Sequence, residues 1–201
     1  CDECTGFQLR HCLDKGQLYS NYTYLTPDTA SLNDHYKNIV DYLTTNNYLN
    51  KEMNCLEIGS NNGRFLKFLE PYVKSVLGVD PAKNVASIAA SFGIETIVDF
   101  FSKDVVHKIQ DKNRKIQLIV ARHMFAHNPD PNDIFKGINS LLDEKGVILI
   151  ENQYVFDTLK SGAFDQIYHE HMFYYCVKNM QNYLNSHSYD LNDIFFTNLH
   201  G

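Results

Sequence analysis

Several features that would place a chain in a class at once are missing from this one. No apolar run approaches the roughly 18 to 20 residues that a membrane span needs, so a soluble protein without a membrane partner is expected. Clustered Lys and Arg are absent too. With a formal net charge of −6 the chain has little to hold a phosphate backbone, which argues against a nucleic-acid partner. Five cysteines, an odd number scattered from Cys1 to Cys176, make no disulfide framework, and no secretory leader is recognisable. Both absences point to a reducing, cytoplasmic setting. Internal repeats and low-complexity runs are lacking.

What is present is ordinary globular material, 44% hydrophobic and 21% charged over 201 residues, enough for one well-buried core. The chain starts at Cys1 and stops at Leu199-His200-Gly201 in what reads as a strand or turn, as expected of part of a longer polypeptide. A helical stripe through Leu32, Tyr36, Ile39, Val40 and Leu43 follows the turn signal Pro27-Asp28. Short apolar runs then alternate with helical spacings. Strands are expected at 55–58, 75–79, 95–98, 117–121 and 147–151, with helices between them. That alternation predicts an α/β fold with a doubly wound, mostly parallel sheet, in which ligands bind outside the carboxyl ends of the strands. After Glu151 the period is lost through an aromatic, histidine-rich stretch from Gly162 to Tyr175, and helical spacing resumes near 177–184.

The motifs fall at those strand ends. Glu57-Ile58-Gly59-Ser60-Asn61-Asn62-Gly63 follows the first strand, where glycines let the backbone turn sharply and approach a ligand. Its glycines stand four apart, unlike GxGxxG, and it lacks the Lys and Ser or Thr of a P-loop. Glu57 suits a cationic amino group and would repel a pyrophosphate. Asp80-Pro81 ends the second strand and puts a carboxylate in reach of ribose hydroxyls. Asp99-Phe100-Phe101 ends the third with a polar group and an aromatic face for a base. Ala121-Arg122-His123-Met124 ends the fourth. Taken singly, a glycine loop or an Asp-Pro is a common turn. In this order they resemble the Rossmann-like class I S-adenosylmethionine (SAM)-dependent methyltransferases, and the resemblance implies SAM as cofactor.

A second set is narrower. Tyr168-His169-Glu170-His171 with Tyr174-Tyr175, and Ala121-Arg122-His123-Met124-Phe125-Ala126-His127 upstream, resemble the nucleotide-sugar C-methyltransferases that methylate C3 of 4-keto deoxysugars. The likeness runs from Cys1 to Gly201. Methylating carbon requires removal of a proton beside a ketone and stabilisation of the enolate, and a histidine with tyrosine or carboxylate neighbours suits that task. The resemblance implies His171 as the base, Tyr168 and Glu170 beside it, and Tyr24 as a substrate-side tyrosine, with Tyr22 as the register alternative. His127 is read as lining the cleft. One departure is Asn62, which stands where relatives commonly have Asp.

In that family a zinc module precedes the SAM domain and a second lobe follows. Cys1 and Cys4 resemble half of the zinc site, so residues 1–30 are expected to be a module remnant and linker, and 31–201 the methyltransferase domain. Structural zinc is then expected in an intact protein at most. A metal reading of His123 and His127 as one helix face also stands, without an HExxH glutamate. The rival functions are an O- or N-methyltransferase of another small molecule, and a non-catalytic module that binds SAM or a sugar nucleotide. Sugar, nucleotide and oligomeric state lie beyond the sequence.

Overall fold

The computed structural model describes residues 6–19, 22–110, 115–197 and 199. In chain order it contains β1 (Phe7–Gln8), α1 (Lys15–Tyr19), α2 (Ala30–Thr45), β2 (Asn54–Ile58), α3 (Arg64–Leu69), β3 (Ser75–Asp80), α4 (Lys83–Ser91) and β4 (Thr96–Val98). There follow α5 (Val106–Gln110), β5 (Ile116–Arg122), α6 (Pro131–Leu141), β6 (Leu142–Glu151), α7 (Val155–Ser161), β7 (Phe173–Tyr174) and α8 (Val177–Ser186).

Five strands form a sheet in the order β4-β3-β2-β5-β6, every neighbouring pair parallel. The expected doubly wound sheet is therefore present. Its apolar runs are covered on both faces, and the alternation of side chains sends each strand's residues to opposite layers. Leu56, Ile58, Ile119 and Ala121 pack with Val106 and Ile109 of α5 and with Ile134, Phe135 and Ile138 of α6. Cys55, Leu118 and Val120 pack on the other face with Leu32, Tyr36 and Val40 of α2 and with Phe65 and Leu66 of α3.

The helices begin where their caps allow. Thr29 accepts the Leu32 N–H at the start of α2, and Asp130 accepts the Asn132 and Asp133 N–H groups ahead of Pro131 in α6. Successive strands run outward from β2 to β4, and the chain then returns to place β5 on the other side of β2. That reversal makes a crevice at the carboxyl ends of β2 and β5.

A small antiparallel pair joins β1 to β7, with Phe7 opposite Tyr174. Residues 7 and 8 are thereby paired with residues 173 and 174. Among the described residues no helix is long and apolar enough to cross a membrane.

Candidate active site

At the crevice lies a cavity of about 510 Å³. Gly59 closes β2 with φ 72°, and a Cβ there would stand 3.0 Å from Met124 Cβ. Only glycine lets the loop after β2 lie against the turn after β5. Asp80 ends β3 on the cavity wall and is 6% exposed. Its Oδ2 accepts the Asn61 N–H at 2.8 Å and its Oδ1 the Ala82 N–H at 2.9 Å. Burial raises the Asp80 pKa and those two backbone donors oppose the rise. The carboxylate is thus fixed in orientation, and each oxygen keeps lone-pair capacity.

Pro81, Phe100 and Phe101 continue the wall. The Phe100 ring has the Lys15 ammonium 4.7 Å from its centre and Tyr19 edge-on at 5.8 Å. Asn61, Arg122, His123 and His127 also line the cavity.

Glu57, Ser60, Gly63, Asp99 and Ala121 do not line it. Glu57 is 1% exposed, and its Oε1 accepts the Arg122 Nε–H at 3.0 Å. Burial pushes its carboxyl up to about 7 against the pull of Arg122. Gly63 caps α3 in the left-handed region, while Ser60 lies buried beside Gly78. Ala121 faces the core. Asp99 accepts from Lys108 at 2.6 Å.

Two residues that the sequence reading did not single out complete the floor. His35 Nε2 lies 2.6 Å from Glu151 Oε1, and His123 Nε2 lies 3.8 Å from the same oxygen. Desolvation works to raise the Glu151 pKa, but the nearby His123, the hydrogen bond from His35 and the charge of Arg122 outweigh it and hold the carboxyl well below its usual range. A polar His35 on the apolar stripe of α2, three residues after Leu32, was the available signal.

On the far side, the Met172 N–H donates to the Ala126 carbonyl at 2.7 Å and the Leu9 N–H to the Met172 carbonyl at 2.8 Å. These bonds hold the segment that carries His171 against the turn after β5. His171 Nδ1 lies 2.9 Å from the Gln166 carbonyl, which can only accept, so Nδ1 carries the proton. Nε2 then presents its lone pair to the Tyr168 hydroxyl at 3.0 Å. Burial lowers the His171 pKa, which favours this neutral form, while the Gln166 carbonyl works against the shift.

His127 stands edge-on to His171 with ring centres 4.8 Å apart, its Nδ1 3.1 Å from the Tyr19 hydroxyl and 3.8 Å from Glu170 Oε2. Burial, with His171 and His123 nearby, takes its pKa down to about 3. His123 has φ 51° and precedes a 3-10 turn at Phe125–His127. The shared helix face on which the metal reading depended is therefore not formed.

Tyr22 and Tyr24 both reach the cavity, but Tyr24 is 48% exposed. Tyr22 is the more buried, and burial together with the Glu170 carboxylate raises its pKa. Cys1 and Cys4 lie outside the described residues. Among the described residues no group of three or more His, Cys, Asp or Glu is arranged to hold a metal ion.

A family model described as a methyltransferase domain matches residues 32–192. C-methyltransferase NovU of Streptomyces niveus is 31% identical over 201 residues, covering 100% of this chain and 48% of that protein. The chain thus spans about half the length of that relative. A SAM-dependent methyltransferase from Archaeoglobus fulgidus aligns at a TM-score of 0.60 and 16% identity, over 76% of this chain and 68% of that one. The plantazolicin methyltransferase BpumL, solved in complex with S-adenosylhomocysteine (SAH), aligns at 0.56 and 15% identity, over 80% and 69% of the two chains. At these identities the solved structures speak for a shared class I, Rossmann-like fold.

Proposed function

The chain belongs to the methyltransferase-domain family, and from that premise we propose that it transfers a methyl group from SAM to a sugar carbon beside a ketone, in a nucleotide-linked keto sugar. The observation that carries the reading is His171, a buried imidazole with its proton committed to the Gln166 carbonyl and its basic nitrogen turned toward the Tyr168 hydroxyl. The C-methyltransferase name of the relative supports carbon as the methyl acceptor.

The cavity's residues fit the donor. Gly59 permits close backbone approach, Asp80 offers an oriented carboxylate to a ribose, and Phe100 offers a face to a base, while Phe101 is buried against Gly137. When bound, SAM supplies a methyl group activated by a sulfonium.

On the acceptor side, Nε2 of His171 takes the proton from the carbon beside the ketone, and that carbon receives the methyl group. Once protonated, Nε2 donates to the Tyr168 oxygen, which releases the Tyr168 hydroxyl to donate to the enolate oxygen. Glu170, near His127 and Tyr22, adds a carboxylate to the same wall and accepts from hydroxyl groups of the sugar. Neutral phenols, amides and imidazoles dominate this side, and they suit a polyhydroxylated acceptor.

Calorimetric titration with SAM and SAH tests the donor half. Micromolar binding that is lost in Asp80→Ala is expected, and no binding to either ligand overturns it. For the acceptor half, His171→Asn should lower turnover of a keto-sugar nucleotide by about 100-fold or more while leaving SAH affinity within a few fold. Full turnover in that variant would remove the base. A donor-binding variant series with no turnover of any keto sugar would favour the binding-module reading instead.

A further inference from the structure

The glycine loop does a second task beyond the donor pocket. Asn61 sits in the left-handed region at φ 48°. Its Oδ1 accepts the Thr26 N–H at 2.9 Å and the Thr26 hydroxyl at 3.2 Å, and its Nδ2 donates to the Tyr24 carbonyl at 3.0 Å. Asn62 Nδ2 donates to the Thr26 carbonyl at 2.9 Å, and Asn84 Nδ2 to the Tyr22 carbonyl at 2.8 Å. The strand-like stretch from Tyr22 to Thr26 has no regular secondary structure, so these side chains take the place of a ladder. The same Asn61 donates its N–H to Asp80. One residue therefore touches both the carboxylate of the donor side and the segment that carries Tyr22 and Tyr24 into the cavity.

We infer that Asn61 is a positioning residue, a clasp that fixes residues 22–26 against the glycine loop and so sets where Tyr22 and Tyr24 stand on the acceptor wall. That these tyrosines face an acceptor rests on the proposed methyl transfer; the clasp itself does not. Its chemistry needs an amide. An aspartate at 61 keeps the acceptor for Thr26 but loses the donor for Tyr24, and an aspartate at 62 has no donor for the Thr26 carbonyl. Occupation of Asp80 by a donor's ribose would act on the Asn61 backbone, and through its side chain on the tyrosine segment. The donor would then order the acceptor wall before the acceptor arrives.

Hydrogen exchange of the full chain tests this, with Asn61→Gly and Asn61→Asp beside the wild type. Glycine adopts the positive φ without strain, but the Asn62 N–H loses its Oδ1 acceptor at 2.9 Å, so exchange in β2 and β3 serves as the check that the loop's frame is kept. Exchange at the Thr26 amide, the N–H of this stretch that Asn61 Oδ1 accepts, is expected to quicken about tenfold or more in Asn61→Gly, with β2 and β3 unchanged, and to return part of the way in Asn61→Asp. Added SAH should slow exchange there in the wild type and not in Asn61→Gly. A wild-type exchange rate at the Thr26 amide in Asn61→Gly would overturn the clasp, as would an equal quickening of β2 and β3. Equal slowing by SAH in both proteins would overturn the coupling. Failure of SAH to bind would sink the donor reading alone, because exchange in the unliganded protein decides the clasp.

Discussion

Arg122 stands between two carboxylates, donating to Glu57 at 3.0 Å and lying 3.6 Å from Glu151, with its guanidinium 4.5 Å from the Tyr36 ring centre and 4.4 Å from that of Phe65. A buried charge set of this kind contributes little net stability when intact but is costly to break, because one partner is left desolvated and unpaired. Arg122→Ala is therefore expected to lower unfolding free energy by ~3–5 kcal/mol in urea titration, and Glu57→Gln in the same background to recover part of that loss. An additive double variant would show that the pair is not coupled. At this scale the sequence pointed to both residues but not to their relation. Glu57 reads as a ligand post because it precedes the glycines, whereas the strand pairing of β2 with β5 sets it beside Arg122, away from the cavity wall. His35 and Glu151 lie 116 positions apart, so no local pattern could join them.

The strands of the sheet were legible because each is a short apolar run between turn signals, and each of the five appears within a few residues of its expected place. β6 is longer than expected, starting at Leu142 directly after α6. Three of the short elements, β1 and β7 of two residues each and α7 of seven, were not legible. They are too short to show a period, and their pairing is set by distant partners. Packing between elements adds a constraint that composition does not reveal. Gly78 in β3 lies under the glycine loop, where a Cβ would stand 2.9 Å from Ser60 Cβ and closer still to Ser60 Oγ. Gly78→Ala should displace the loop and weaken SAH binding about tenfold or more in calorimetry while the sheet persists by circular dichroism. Unchanged affinity would show that the loop can give way freely.

Across the whole molecule, acid sensitivity follows from burying imidazoles as neutral groups. His127, with a pKa near 3 in the folded chain against an ordinary value of 6.5, binds fewer protons than in the unfolded chain between those limits. Its contribution is present above about 6.5 and is lost as pH falls toward 3, at up to ~1.4 kcal/mol per pH unit. Melting temperature should thus drop between pH 7 and pH 4, and more shallowly in His127→Gln. Parallel pH profiles for the two proteins would place the acid sensitivity elsewhere.

By itself the sequence determined the alternation of strands and helices, the glycine loop and the acid after it, since these depend on local periodicity and turn chemistry. Tertiary structure decided which of those groups face the cavity. Gly59, Asp80, Tyr22, His127 and His171 meet there only because the strand order reverses beside β2 and the chain near Met172 is tied to Ala126 and Leu9. Those contacts join residues far apart in the chain, and burial among them, rather than residue type, sets the protonation of His127 and His171.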